Sequence, residues 1–122
     1  MPKGTKPPNP IMGRWRIVSM SAWEDDYLNE EVEAFIEFSG KDRCSFHFGY
    51  IQGVADCRMG DRGGEPDVEF SWEGGDGADG TPLTGRGWAR LAADGLSGMF
   101  HIHDGEESEF LAKRSGTKKA GR

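Results

Sequence analysis

The chain has no long apolar run. The longest unbroken stretch of Ala, Val, Ile, Leu, Met, Phe, Trp, Tyr and Cys is three residues, as at Ala34-Phe35-Ile36, whereas a membrane-spanning helix needs about 20. Transmembrane helices are excluded. Residues 1–10 have neither the apolar core of a secretory signal nor the Arg/Ser-rich amphipathic pattern of a transit peptide, so the expected location is the cytoplasm. Basic residues are scarce in the body. Between residues 11 and 112 there are 8 of them against all 21 acids, a balance of −13, while the two ends carry +7. A body that acidic repels phosphate backbones, which argues against nucleic-acid binding. Cysteine is limited to Cys44 and Cys57 without a C-x-x-C spacing. They read as reduced core thiols, with a disulfide open only if their strands pair. Helix-length periodicity, internal repeats and low-complexity blocks are missing from the body. No G-x-S-x-G elbow, P-loop or G-x-G-x-x-G fingerprint occurs, and Gly85-Arg86-Gly87 has the wrong continuation for one. Nothing in the chain requires an enzyme or a cofactor.

What the chain does have is glycine, 19 of 122 residues, about twice the usual share. The glycines punctuate short stretches rich in Phe, Trp, Val and Ile, the pattern of an antiparallel meander. Strands are predicted near 12–20, 32–39, 43–49, 50–59, 67–73, 84–92, 96–103 and 107–114. One short helix is predicted within Glu24–Glu30, too brief to hold unless Trp23, Tyr27 and Leu28 pack on the rest. Gly49 and Gly53 mark either a hairpin or two kinks in one bent strand, so the count is seven or eight. The expected organisation is a disordered tail at 1–10, one barrel domain at 11–114 and a disordered basic tail at 115–122.

Three hairpin registers keep apolar side chains on one face. Pairing Glu73 with Thr84 sets Trp72 opposite Gly85, Phe70 opposite Gly87 and Val68 opposite Ala89, large over small. A tight turn at Ala93-Asp94 sets Leu91 opposite Leu96, Gly87 opposite Phe100 and Gly85 opposite Ile102. A loop at Asp104-Gly105-Glu106 would bring Phe100 to Phe110. Val68, Phe70, Trp72, Leu91, Leu96, Phe100, Ile102, Phe110 and Ala112 then face inward. The other face pairs Asp67 with Arg90, Ser71 with Arg86 and Glu69 with Trp88, and lines up Trp88, Met99 and Leu111. That outward apolar stripe, bordered by Arg86, His101 and Glu109, is expected to be a partner surface, with a homodimer as the partner. The alternative is that a tail or the helix covers it.

Gly13-Arg14-Trp15 opens the first strand, a short helix and a run of antiparallel strands follow, and Arg114 closes the last strand. This layout resembles the calycin superfamily of lipocalins, fatty-acid-binding proteins and avidins. The resemblance implies that Trp15 lies across the closed end of an up-and-down antiparallel β-barrel, with Arg114, or Lys113 if the register slips, packed on its indole. It further implies a noncatalytic binder of a small, partly apolar molecule, lined by Phe46, Phe48, Tyr50, Phe70, Trp72 and Arg58. The sets Trp23-x-x-Asp26-Tyr27, Phe48-Gly49-Tyr50-Ile51-x-Gly53, Asp56-Cys57-Arg58, Phe70-Ser71-Trp72-Glu73-Gly74 and Gly85-Arg86-Gly87-Trp88 are similar to a group of small uncharacterised bacterial proteins.

Polar constellations are few. His101-x-His103 presents two imidazoles on one strand face and, with Gly95 and Glu107, is similar to the first half of the cupin metal pattern. Arg114 stands where that pattern wants Gly, and no second motif with a third His follows. A metal-dependent enzyme built on His101 and His103 is therefore an alternative, and a solvated His–Glu pairing is the plain reading. The acidic loop Glu73–Gly80 could hold a hard cation, although its spacing is not that of an EF-hand. Asp56 and Arg58 share one strand face, either as ligand anchors inside a barrel or as an outward ion pair. His47, between Phe46 and Phe48, has no acid or nucleophile tied to it by sequence.

Overall fold

Alternation of apolar and polar residues, broken by glycine-containing turns, produces eight strands and one turn of helix: β1 (Gly13–Met20), α1 (Asp25–Leu28), β2 (Phe35–Ser39), β3 (Arg43–Phe48), β4 (Ile51–Arg62), β5 (Glu65–Asp76), β6 (Thr81–Ala92), β7 (Gly95–Ile102) and β8 (Glu107–Arg114). The computed structural model describes residues 10–40, 42–93 and 95–114. The tails expected at 1–10 and 115–122 lie outside these residues except for Pro10, as does Asp94 of the expected tight turn. Every strand runs antiparallel to the next, and β8 pairs back onto β1, so the sheet closes into an up-and-down barrel. Closure leaves no strand edge exposed. No helix among the described residues is long and apolar enough to cross a membrane.

The stretch from Phe46 to Val54 is a hairpin, with Phe48 paired to Ile51. Gly49 turns the chain at φ 60°, and any side chain there would run into the Tyr27 ring. Gly53 stays inside β4, where a Cβ would lie 2.9 Å from the Glu73 carbonyl oxygen and 2.9 Å from the Phe46 ring. It is a point of close approach, not a turn.

The β5–β6 and β6–β7 registers are those the apolar pattern predicts, with Trp72 opposite Gly85, Phe70 opposite Gly87 and Gly87 opposite Phe100. The β7–β8 register differs from the expectation by two residues. Asp104 takes the left-handed conformation at φ 59°, and Ile102 donates to the Glu106 carbonyl at 2.9 Å, so the loop is 103–105 instead of 104–106. Phe110 therefore lies opposite Gly98, and Phe100 opposite the buried Ser108. Both faces survive a shift of two. The result extends the large-over-small rule: a Cβ on Gly98 would lie 2.8 Å from the Phe110 ring.

Aromatic rings fill the middle of the barrel. Phe100 is the hub, its centroid 4.8 Å from Phe46, 5.4 Å from Phe48, 5.4 Å from Phe70 and 5.0 Å from Phe110. Trp72 meets Phe46 edge-on at 5.0 Å. At the start of β1, Trp15 is 3% exposed, with the Arg114 guanidinium 4.0 Å from its ring centroid. Arg114 also donates to the carbonyls of Met12, at 2.7 Å, and Pro10, while Trp15 Nε1 donates to Ile11 at 2.8 Å. Partial burial holds the Arg114 pKa below its ordinary value. These contacts tie the first strand to the last. The helix α1 is held by packing, as its length requires: Leu28 is buried, Trp23 lies 5.0 Å from Phe48, and Leu28 accepts a hydrogen bond from the Gly49 amide at 2.8 Å.

Cys44 and Cys57 are buried free thiols. Their strands do pair, but Cys44 sits opposite Ala55. Burial raises both thiol pKa values, with Asp56 and Asp42 adding to the effect at Cys57.

Candidate functional site

The residues expected to line a ligand do not form an open pocket around one molecule. Phe46, Phe48, Phe70 and Trp72 are all buried against one another, Tyr50 is half-buried beside Tyr27, and Arg58 faces out of the barrel. Strand alternation decides the last point. Cys57 points inward, so Asp56 and Arg58 point to solvent, where they pair at 3.3 Å. Arg58 thus stands apart from the rings with which it was grouped. Among the described residues, one buried side-chain nitrogen, Trp72 Nε1, has no hydrogen-bond partner.

The two histidines of β7 and its loop also face outward. His101 lies 3.6 Å from Glu107 and His103 3.4 Å from Asp104. No group of three or more His, Cys, Asp or Glu is placed to hold a metal among the described residues. In the β5–β6 loop, Asp76 and Asp79 accept hydrogen bonds from the amides of Ala78 and Thr81, each at 2.9 Å. The Thr81 bonds hold the Asp79 carboxyl below its ordinary pKa. These carboxylates cap their own turns. His47 meets Glu31 at 3.0 Å and so fastens the loop after α1 to β3.

The outer face of β5, β6 and β7 is different. Trp88 is 42% exposed, where Trp15 and Trp72 are 3% and 4% exposed. It lies in a groove of about 540 Å³ lined by Asp67, Glu69, Arg86, Arg90, Met99 and Glu107, among others. The registers build this groove directly: Glu69 and Met99 flank Trp88 from the neighbouring strands, and Arg86 and Arg90 precede and follow it on its own. The Arg90 guanidinium lies 5.5 Å from the indole. Glu69 and Arg86 make no ion pair among the described residues. The revised β7–β8 register changes the expected stripe, because Glu109 rather than Leu111 stands beside Met99, and Leu111 pairs with Ser97. The apolar floor therefore ends at Trp88 and Met99. Sequence reasoning found Trp88 and Met99, but it missed Asp67, Glu69 and Arg90 as groove walls. The signal was present in the pairings of Asp67 with Arg90 and Glu69 with Trp88.

No protein-family model, curated protein or solved structure matches this chain. The groove must be read from its own chemistry.

Proposed function

We propose that this protein is a noncatalytic binding module whose working surface is the outer β5–β7 face, with another protein surface as its partner. The carrying observation is the contrast between tryptophans: Trp88 is exposed in a groove while the inner rings are closed on one another. Trp, Met and Arg in a partly apolar patch are what protein interfaces enrich, with Lys depleted. The noncatalytic reading is supported by the scattering of the polar groups, since His47 with Glu31 and His101 with Glu107 are separate pairs. A side chain kept for binding is dispensable to the fold. In dilute solution, where association does not add to stability, Trp88→Ser is expected to keep the melting temperature within a few degrees of the parent, an effect of about 0.5 kcal/mol or less, and to lose binding of a hydrophobic reporter dye. A drop in stability like that of a core ring would make Trp88 structural and overturn the reading.

A second reading is a small-molecule carrier of the calycin kind, and the unpartnered Trp72 Nε1 favours it. A buried indole N–H normally has an acceptor, and a small ligand entering among the rings would supply one. A native mass spectrum showing retained mass that Trp72→Phe abolishes would support this reading. A bare chain would count against it.

A further inference from the structure

Resting on the reading of the β5–β7 face as a protein-binding surface, we infer that its partner is a second copy of this chain, docked face to face so that Glu69 of each copy meets Arg86 of the other across a two-fold axis beside Trp88.

Four outward side chains form a rectangle on the sheet. Glu69 stands opposite Trp88, and Ser71 stands opposite Arg86 on the same two strands. One diagonal carries the Glu69 carboxylate and the Arg86 guanidinium, and the other carries Ser71 and Trp88. In a face-to-face symmetric pair the two-fold axis lies in the plane of the interface and exchanges the two sides of that axis. An axis through the centre of the rectangle at right angles to the Glu69–Arg86 diagonal, close to the Ser71–Trp88 diagonal, puts Glu69 of one copy onto Arg86 of the other, twice. With strands about 4.8 Å apart and same-face residues about 6.8 Å apart, this axis passes within about 2 Å of both Ser71 and Trp88. The two indoles then meet at the centre, where interface anchors concentrate.

The same operation makes a further test of self-complementarity. Arg90 follows Trp88 on β6, and Glu107 lies two strands away opposite His101. On the flattened lattice the axis that joins Glu69 to Arg86 also carries Arg90 onto the neighbourhood of Glu107. One operator therefore matches two pairs of opposite charge, and neither match was used to place the other. The electrostatics of the whole chain agree. The body between residues 11 and 112 carries 21 acids against 8 basic residues, so two copies repel over most of their surface. They can approach where basic residues are mixed with acids, and this face holds Arg86 and Arg90 among Asp67, Glu69 and Glu107.

Sedimentation equilibrium of the full chain, with circular dichroism to confirm folding, tests this through charge reversal. The parent is expected to dimerise, and Glu69→Arg or Arg86→Glu alone to weaken dimerisation by roughly tenfold or more, since each puts like charges together twice. The double variant is expected to recover to within roughly threefold of the parent. An equimolar mixture of the two single variants should form a heterodimer, because every crossing pair in it is again of opposite sign. A parent that stays monomeric at millimolar concentration, or a double variant as weak as the singles, overturns the second copy as partner. That failure is separable from failure of the underlying reading, which is decided by the stability and dye binding of Trp88→Ser.

Discussion

The β5–β6 hairpin has two faces built from the same strands, each carrying one tryptophan, yet one ring is closed in and the other lies in a groove. Inside, Trp72 lies over Gly85 and Phe70 over Gly87, with the indole 4% exposed. Outside, Trp88 has Glu69 and Met99 as neighbours and is 42% exposed. Inside, glycines opposite the rings remove every obstacle to packing. Outside, full-sized side chains stand around the ring as walls and leave a groove. Whether a tryptophan on this barrel is buried in the core or left open in a groove is set by what stands across from it.

The contrast can be broken most severely at the centre of the barrel. Phe100→Ala removes the ring that meets four others and is expected to cost about 3–5 kcal/mol, read as a large fall in the urea midpoint. A cost near zero would mean that the interior is loosely filled, and would favour the small-molecule reading. Gly85→Ala should come next, at about 2–3 kcal/mol, because its new methyl group would run into the His101 carbonyl oxygen and sit 2.8 Å from the Trp72 ring. The same substitution tests whether glycine or merely smallness is needed beneath Trp72.

A smaller effect separates inside from outside by pH. Burial raises the thiol pKa of Cys44, so the folded protein keeps that proton while the unfolded chain releases it as pH passes about 8.5. Stability from this group is therefore complete below that pH and declines above it, by at most about 1.4 kcal/mol per pH unit. Urea midpoints measured from pH 7 to pH 10 should show a steeper alkaline decline for the parent than for Cys44→Ala. Parallel curves would mean that the thiol is solvated in the folded state.

Much of this architecture was legible in the chain. Seven or eight strands and two of three carboxyl-terminal registers follow from period-two alternation and from seating large residues on small ones, the short helix follows from Glu24–Glu30, and the Phe48–Ile51 pairing makes the count eight. The third register differs because the expected loop Asp104-Gly105-Glu106 is centred on Gly105, whereas the left-handed residue is Asp104. Applying the large-over-small rule there would have set Phe110 on Gly98 and corrected the pairing. The site was less legible. Arg58 could face either way until its strand was phased by Cys57, and the groove walls were visible only as pairings, since exposure of a charged residue carries no signal of its own. Ring packing inside the barrel was hidden for another reason: a list of inward aromatics is the same for a filled core and for a pocket.

The account turns on Trp88 being the tryptophan that meets a partner while the inner ones serve the core. Labelling the four tryptophans, Trp15, Trp23, Trp72 and Trp88, with 5-fluorotryptophan gives four fluorine resonances, assignable by single Trp→Phe variants and followed through a dilution series. If Trp88 meets a second copy, its resonance moves with protein concentration along one binding curve, while those of Trp15 and Trp72 stay fixed. A Trp88 resonance unchanged from the lowest to the highest concentration, or a concentration-dependent Trp72, would contradict it.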